Sequence, residues 1–195
     1  MSAGVIREWG GTGATANGIA GTTGSTTPTI YFGKGFGDLP DSLDWLKPIA
    51  LTGTFGYQFQ DVPTSTTTVI DPDSGIASLQ VNHSPDLLVW GASVQYSIPY
   101  LQANIKDLGL PNFLGRITPL VEFTYTNPAT RSNGTLTQGT IAPGFIYSGN
   151  SFQFGIEALV PATRRSNAAT GFIAQLHFFL DDIFPTTLGK PIFGN

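Results

Sequence analysis

Six side chains stand where chemistry or solute contact is possible: Gln58, Gln95, Glu122, Glu157, Gln175 and His177. Each falls on the polar side of an apolar–polar alternation. If those alternations are strands, the six project from one side of a sheet into a common interior. Carboxylates in such a place need partners, and the cationic candidates are Lys34, Arg116 and His177. Glu122 and Glu157 lie on runs separated by only one other, and a carboxylate pair is the working arrangement of glycoside hydrolysis. Spacing along strands does not define a sugar site, however. The six are therefore expected to line a polar interior that selects solutes, with a polar network that merely fills a narrow barrel as the plainer alternative.

Other constellations carry less. His83, Ser84 and Asp86 contain the residue types of a nucleophilic relay, but near-adjacent residues on a loop do not adopt its geometry. Only two His residues are present, too few for an ordinary zinc site. Asp71, Asp73 and Asp86 lack the ordered spacing of a calcium loop. Gly33-Lys34-Gly35-Phe36-Gly37 shares only its glycines with a phosphate-cradling loop, and no helix with the required Lys and Ser/Thr follows. Asn82-His83-Ser84 and Asn133-Gly134-Thr135 match glycosylation acceptors, a pattern frequent by chance. Arg164-Arg165 is a loop charge pair suited to lipopolysaccharide if it lies outside the cell. No catalytic, cofactor-binding or metal-binding residue is assigned, and the chain is not expected to be an enzyme.

The elements that must position the six are clearest in the last hairpin, residues 151–180. Phe152, Phe154, Ile156, Ala158 and Val160 alternate with Gln153, Gly155 and Glu157. After the polar connection 162–169, Phe172, Ala174, Leu176, Phe178 and Leu180 alternate with Gly171, Gln175 and His177. Both runs read as strands of about the ~9–11 residues that cross a bilayer when tilted. The same alternation predicts strands at 29–37, 49–60, 87–98, 117–126 and 136–147, seven in all, with an eighth available around Val5–Trp9. Between them, 38–48 holds one helical turn that Asp41 is placed to cap before Pro48, and 100–108 an amphipathic helix ended by Gly109 and Pro111. Residues 61–86 form a long Thr-, Asp- and Ser-rich connection with ragged strand extensions around the turn signature at Asp71-Pro72-Asp73. Counting strands puts 38–48, 99–116, the tight turn at 148–150 and the C-terminus on one side, and the polar connections 61–86, 127–135 and 162–169 on the other. Trp45, Leu46, Tyr100 and Leu101 are expected at a membrane boundary.

Composition fits this pattern. Charged residues make up only 11 % of the 195, against roughly 25 % in an average soluble domain. Gly (24), Pro (14) and Phe (14) are abundant, yet the mean hydropathy is only +0.07, as when apolar and polar residues interleave. No run approaches the ~18 apolar residues of a membrane-spanning helix. A net charge of −4 gives no basic field for nucleic acid, and the absence of Cys removes disulfides and thiol chemistry. Residues 1–25 contain no apolar core of a signal peptide, which an exported barrel needs. The chain is therefore expected to be a fragment whose upstream portion is missing, the alternatives being a mature form with a start Met or a protein outside the envelope.

Four stretches resemble a known group. LLVWGASVQYSIPYLQANIKD (87–107), FLGRITPLV (113–121), GTIAPGF (139–145) and GFIAQLHFFLDDIFP (171–185) look like largely uncharacterised Gram-negative outer-membrane proteins. They are similar to the family labelled as belonging to the MetA pathway of phenol degradation. The resemblance spans about residues 31–193 and is most specific at SIPYLQANIKD and AQLHFFLDDIFP. It implies an outer-membrane β-barrel that passes small organic molecules. The chain departs from that pattern in lacking an N-terminal signal and upstream strands, and in ending Ile192-Phe193-Gly194-Asn195.

The expectation is thus an all-β, antiparallel, up-and-down transmembrane barrel of seven or eight visible strands in the bacterial outer membrane. It has a flexible segment or strand remnant at 1–28, a barrel at 29–185 and a tail at 186–195. Its partners are membrane lipid, lipopolysaccharide and a small hydrophobic or aromatic solute, with no nucleic acid and no cofactor. The rivals are a soluble lipocalin-like ligand-binding barrel, with the Phe-rich face interior, and a structural outer-membrane barrel with a filled lumen.

Overall fold

The computed structural model describes residues 1–12, 23–73, 75–132, 134, 136–163, 166 and 169–187. Ten strands follow in the order β1 (Ser2–Glu8), β2 (Ser25–Gly35), β3 (Ile49–Gln60), β4 (Thr64–Ile70), β5 (Ala77–His83), β6 (Leu87–Tyr96), β7 (Ile117–Pro128), β8 (Gln138–Ser148), β9 (Phe152–Pro161) and β10 (Gly171–Phe178). Eight make one sheet in the order β1-β2-β3-β6-β7-β8-β9-β10, and β4 and β5 pair separately. The all-β antiparallel architecture is as the alternation predicts. Among the described residues, β1 and β10 are the terminal strands of this order and do not pair with each other, so no closed barrel is found.

Register sorts the side chains. In β8–β9–β10, Phe145 faces Ile156 and Ile156 faces Ala174, while Tyr147 faces Phe154 and Phe154 faces Leu176. The intervening rows are Ser148–Gln153–His177, Ile146–Gly155–Gln175 and Gly144–Glu157–Ile173. With a side-chain period of two, the apolar rows share one face and the mostly polar rows the other.

Small polar residues are shielded on β2 and large apolar ones exposed on β2, β3 and β6, whereas β7, β8 and β9 are mostly half-buried on both faces. Along β2, Ser25 (2 % exposed), Thr27 (7 %) and Thr29 (8 %) are buried, while Ile30 and Phe32 are exposed. Along β3, Phe55 and Phe59 are each 50 % exposed. Trp90 and Val94 on β6 are also exposed. The described residues contain no large apolar side chain that is fully buried, and the buried apolar set is Leu101, Leu120 and Ala142.

The chain clusters into two compact units. The first is Met1–Phe32, Gly53–Gly91 and Thr124–Gly139. In it the Arg7 guanidinium donates to both Asp61 carboxylate oxygens, at 2.7 and 2.6 Å, and lies 4.8 Å over the Trp9 ring. That double hydrogen bond holds the Asp61 carboxyl below the usual carboxylate range, against partial burial that acts the other way. Asp86 accepts from the Tyr57 hydroxyl (3.2 Å) and the Gln60 backbone N–H (3.0 Å). Its own N–H donates to Thr130 Oγ1, and its C=O accepts from the N–H of Ala129. Trp90 stacks on Tyr125 at 4.6 Å, and its indole N–H donates to Asn127. The β4–β5 pair is a regular hairpin, Thr64 opposite His83 through Ile70 opposite Ala77, where the sequence predicts only ragged extensions.

The second unit is Gly33–Thr52, Ala92–Phe123 and Thr140–Asn195. Helix α1 (Ile98–Asn104) starts two residues before the predicted Tyr100 because Ser97 Oγ accepts from the Tyr100 N–H and Pro99 fits the first turn. Leu101, expected at a membrane boundary, is buried instead, whereas Trp45 and Leu46 are exposed. The 3₁₀ turn Asp41–Leu46 has no side-chain cap. The Asp41 carboxylate is taken by the Lys47 ammonium at 2.8 Å, together with Asp44 at 2.7 Å. These hydrogen bonds push the Lys47 ammonium above its ordinary value and hold Asp41 below its own. A short helix α2 (Leu180–Ile183) follows β10. The Arg164-Arg165 pair, the acceptor residues Asn133 and Thr135, and the end of the tail from 188 lie outside the described residues.

Candidate functional site

The second unit contains a cavity of ≈ 270 Å³ on the polar side of the sheet. Its lining comes from β3 (Thr52), β6 (Ser93, Gln95), β7 (Leu120, Glu122), β8 (Ile146), β9 (Gln153, Gly155, Glu157) and β10 (Ile173, Gln175, His177). Six strands contribute because each presents alternate residues to this side. Gly155 stands between Ile146 and Gln175 in the register and leaves room at the centre of the row. Gly144 does the same for Glu157. A Cβ there would collide with the Ile156 carbonyl and the Glu157 side chain.

Five of the six residues singled out from the sequence meet here: Gln95, Glu122, Glu157, Gln175 and His177. Gln58 does not. It lies in the first unit, where its amide donates to Ser25 Oγ (2.7 Å) and Glu8 Oε2 (3.1 Å), and Ser25 Oγ itself donates to Glu8 at 2.6 Å. Gln58 thus belongs to a separate polar knot with the buried Ser25. Thr52, Ser93 and Gln153 line the cavity and were not among the six. Their signal was present in the same alternation, since Gln153 is in register with His177 and Ser148.

Of the three proposed counter-charges, Lys34 and Arg116 are elsewhere, and His177 lines the cavity. Lys34 donates to Asp38, and Arg116 donates to Asn150 at 2.7 Å. Among the described residues, no lysine or arginine lines the cavity. Gln175 and His177 are within 3.3 Å of each other, and the Gln153 amide donates to Ser148. Glu122 and Glu157 have no hydrogen-bond or ion-pair partner among the described residues. No buried side-chain nitrogen or oxygen in the described part is left unsatisfied, so both carboxylates reach accessible space.

The arrangement offers acceptors, amides and two carboxylates around a small void, with Leu120, Ile146 and Ile173 as its apolar portion. Neither hydroxyl among the described lining residues, Thr52 or Ser93, is hydrogen-bonded to a base. Among the described residues, no group of three or more His, Cys, Asp or Glu side chains is placed to hold a metal ion. No described helix is long and apolar enough to cross a membrane. Compared with known proteins, the chain matches no family model, no curated protein and no solved structure.

Proposed function

We propose that this chain forms a transmembrane β-barrel, or part of one, in the bacterial outer membrane and acts as a passive channel for small organic solutes. The observation that carries the reading is the inverted burial of β2, β3 and β6. Ser25, Thr27 and Thr29 are shielded while Ile30, Phe32, Phe55, Phe59 and Trp90 face outward. Exposed apolar side chains on this scale are costly in water and favourable in hydrocarbon. A soluble lipocalin-like barrel requires the opposite, with the Phe-rich face inside. The small hydrophobic or aromatic solute, the lipid and lipopolysaccharide partners, and a periplasmic location for the tight turn after β8 are parts of the same proposal and follow from strand count and the sequence resemblance.

The test is insertion. Detergent-refolded protein is compared on gels with and without boiling, then mixed with phospholipid vesicles and assayed for swelling in isosmotic solutes. A mobility shift on boiling, co-flotation with vesicles and swelling in small solutes are expected. Solubility in plain buffer without vesicle association would overturn the membrane reading, and insertion without swelling would leave a structural barrel with a filled lumen.

A further inference from the structure

We infer that the cavity of the second unit binds small organic cations bearing an ammonium group. Two carboxylates, Glu122 and Glu157, line it, and neither has a protein partner among the described residues. Like charges in a partly enclosed space repel more strongly than in bulk water, and a cation drawn from solvent relieves that repulsion. Apart from the two carboxylates and His177, the described lining is uncharged, which suits an ammonium head. An ammonium group has three donors and no acceptor, and the amide oxygens of Gln95 and Gln153 add acceptors to the two carboxylates. Ile146 and Ile173 offer an apolar wall for an alkyl or aryl body. At ≈ 270 Å³ the cavity is below the ~300–1,000 Å³ of pockets for drug-sized ligands, which limits the solute to one ring or a short chain. A bare divalent metal fits less well, because among the described residues these two carboxylates and His177, though they line one cavity, do not form a group that could hold a metal ion.

This inference deepens the channel reading, since it names the solute class preferred on the polar side of the sheet. Its test does not need conduction. The full chain, solubilised in detergent, is titrated calorimetrically with benzylammonium, benzyl alcohol and benzoate, which share a ring and differ in charge. Benzylammonium is expected to bind about tenfold more tightly than benzyl alcohol, as one charge-assisted contact supplies, with benzoate weakest. The Glu122→Gln and Glu157→Gln single variants should each reduce that preference, and the double variant should abolish it. The singles keep the test decisive if the double variant fails to fold. Equal affinity for amine and alcohol, or a preference untouched in both single variants, would overturn the inference. A preparation that keeps the amine preference but neither inserts nor swells vesicles refutes the channel reading alone, whereas swelling without the preference refutes the cation site alone.

Discussion

Phe55→Arg separates a lipid-facing sheet from a water-facing one. Strand β3 has 12 residues and Phe55 is the seventh, so it sits near the middle of the stretch. At ~3.3 Å per residue and a tilt of ~45°, the strand covers roughly 28 Å along a membrane normal, close to the apolar thickness, and Phe55 falls near the midplane. The residue is 50 % exposed. A Phe side chain presents about 200 Å². Half of that, at ~25 cal/mol per Å², is worth about 2.5 kcal/mol when placed in hydrocarbon. Arginine at the midplane of a membrane barrel adds a penalty of about 2–4 kcal/mol. The total loss is about 4.5–6.5 kcal/mol in a bilayer, whereas an exposed surface substitution in water stays within about 0.5 kcal/mol. The assay is equilibrium urea unfolding from phospholipid vesicles, followed by the fluorescence of the three tryptophans, with Phe55→Leu as the size control. A Phe55→Arg protein that unfolds at the same urea concentration as the parent, to within ~1 kcal/mol, would refute the argument from inverted burial.

Three further outcomes are expected. Gly144→Ala should destabilise the sheet by about 1–3 kcal/mol, because the added methyl meets the Ile156 carbonyl and displaces Glu157; the same urea titration reads it. Asp61→Asn should cost stability at neutral pH, and the gap to the parent should close in acid. The folded Asp61 carboxyl titrates below its unfolded value, so its contribution is complete above the unfolded value near ~4 and disappears as pH falls through the lower folded one. Melting curves between neutral pH and strong acid would show the two proteins converging, and a constant gap would contradict the ion-pair assignment. Asp86→Ala should release the 61–86 connection from β3 and speed its cleavage by a nonspecific protease, with the fragment ends mapped by mass spectrometry.

The strands were legible where alternation is unbroken. Ile49–Gln60 is predicted and observed with identical ends, and Phe152 opens β9 in both. Sharing of a face was legible too, which is why five of six polar candidates converge on one cavity. Position along the strand was not. Gln58 has the alternation of the others but bonds to Ser25 and Glu8 within the first unit, and such pairing register is not encoded in one strand's sequence. Thr64–Ile70 was missed as a full strand because it lacks apolar alternation; its β-branched threonines hold extended backbone without a buried face to announce it. At β2 the sheet starts at Ser25, not 29, since Ser25 and Thr27 are buried polar residues in a segment whose composition reads as a loop. Asp41 lost its capping role to a stronger partner, Lys47, six residues on.

The β4–β5 hairpin has a further consequence for what this chain can tolerate. Its base is pinned within the first unit: the Asp61 N–H donates to the Gly24 carbonyl, the Ser84 N–H to the Pro63 carbonyl, and Asp86 is fastened to Gln60 and Thr130. With both ends fixed, the length of the excursion enters the folding free energy only as a logarithm, and doubling it costs about 0.6 kcal/mol. Residues 64–83 are therefore an insertion port. Epitopes, affinity tags or binding peptides can be exchanged there while the eight-stranded sheet carries them as passengers.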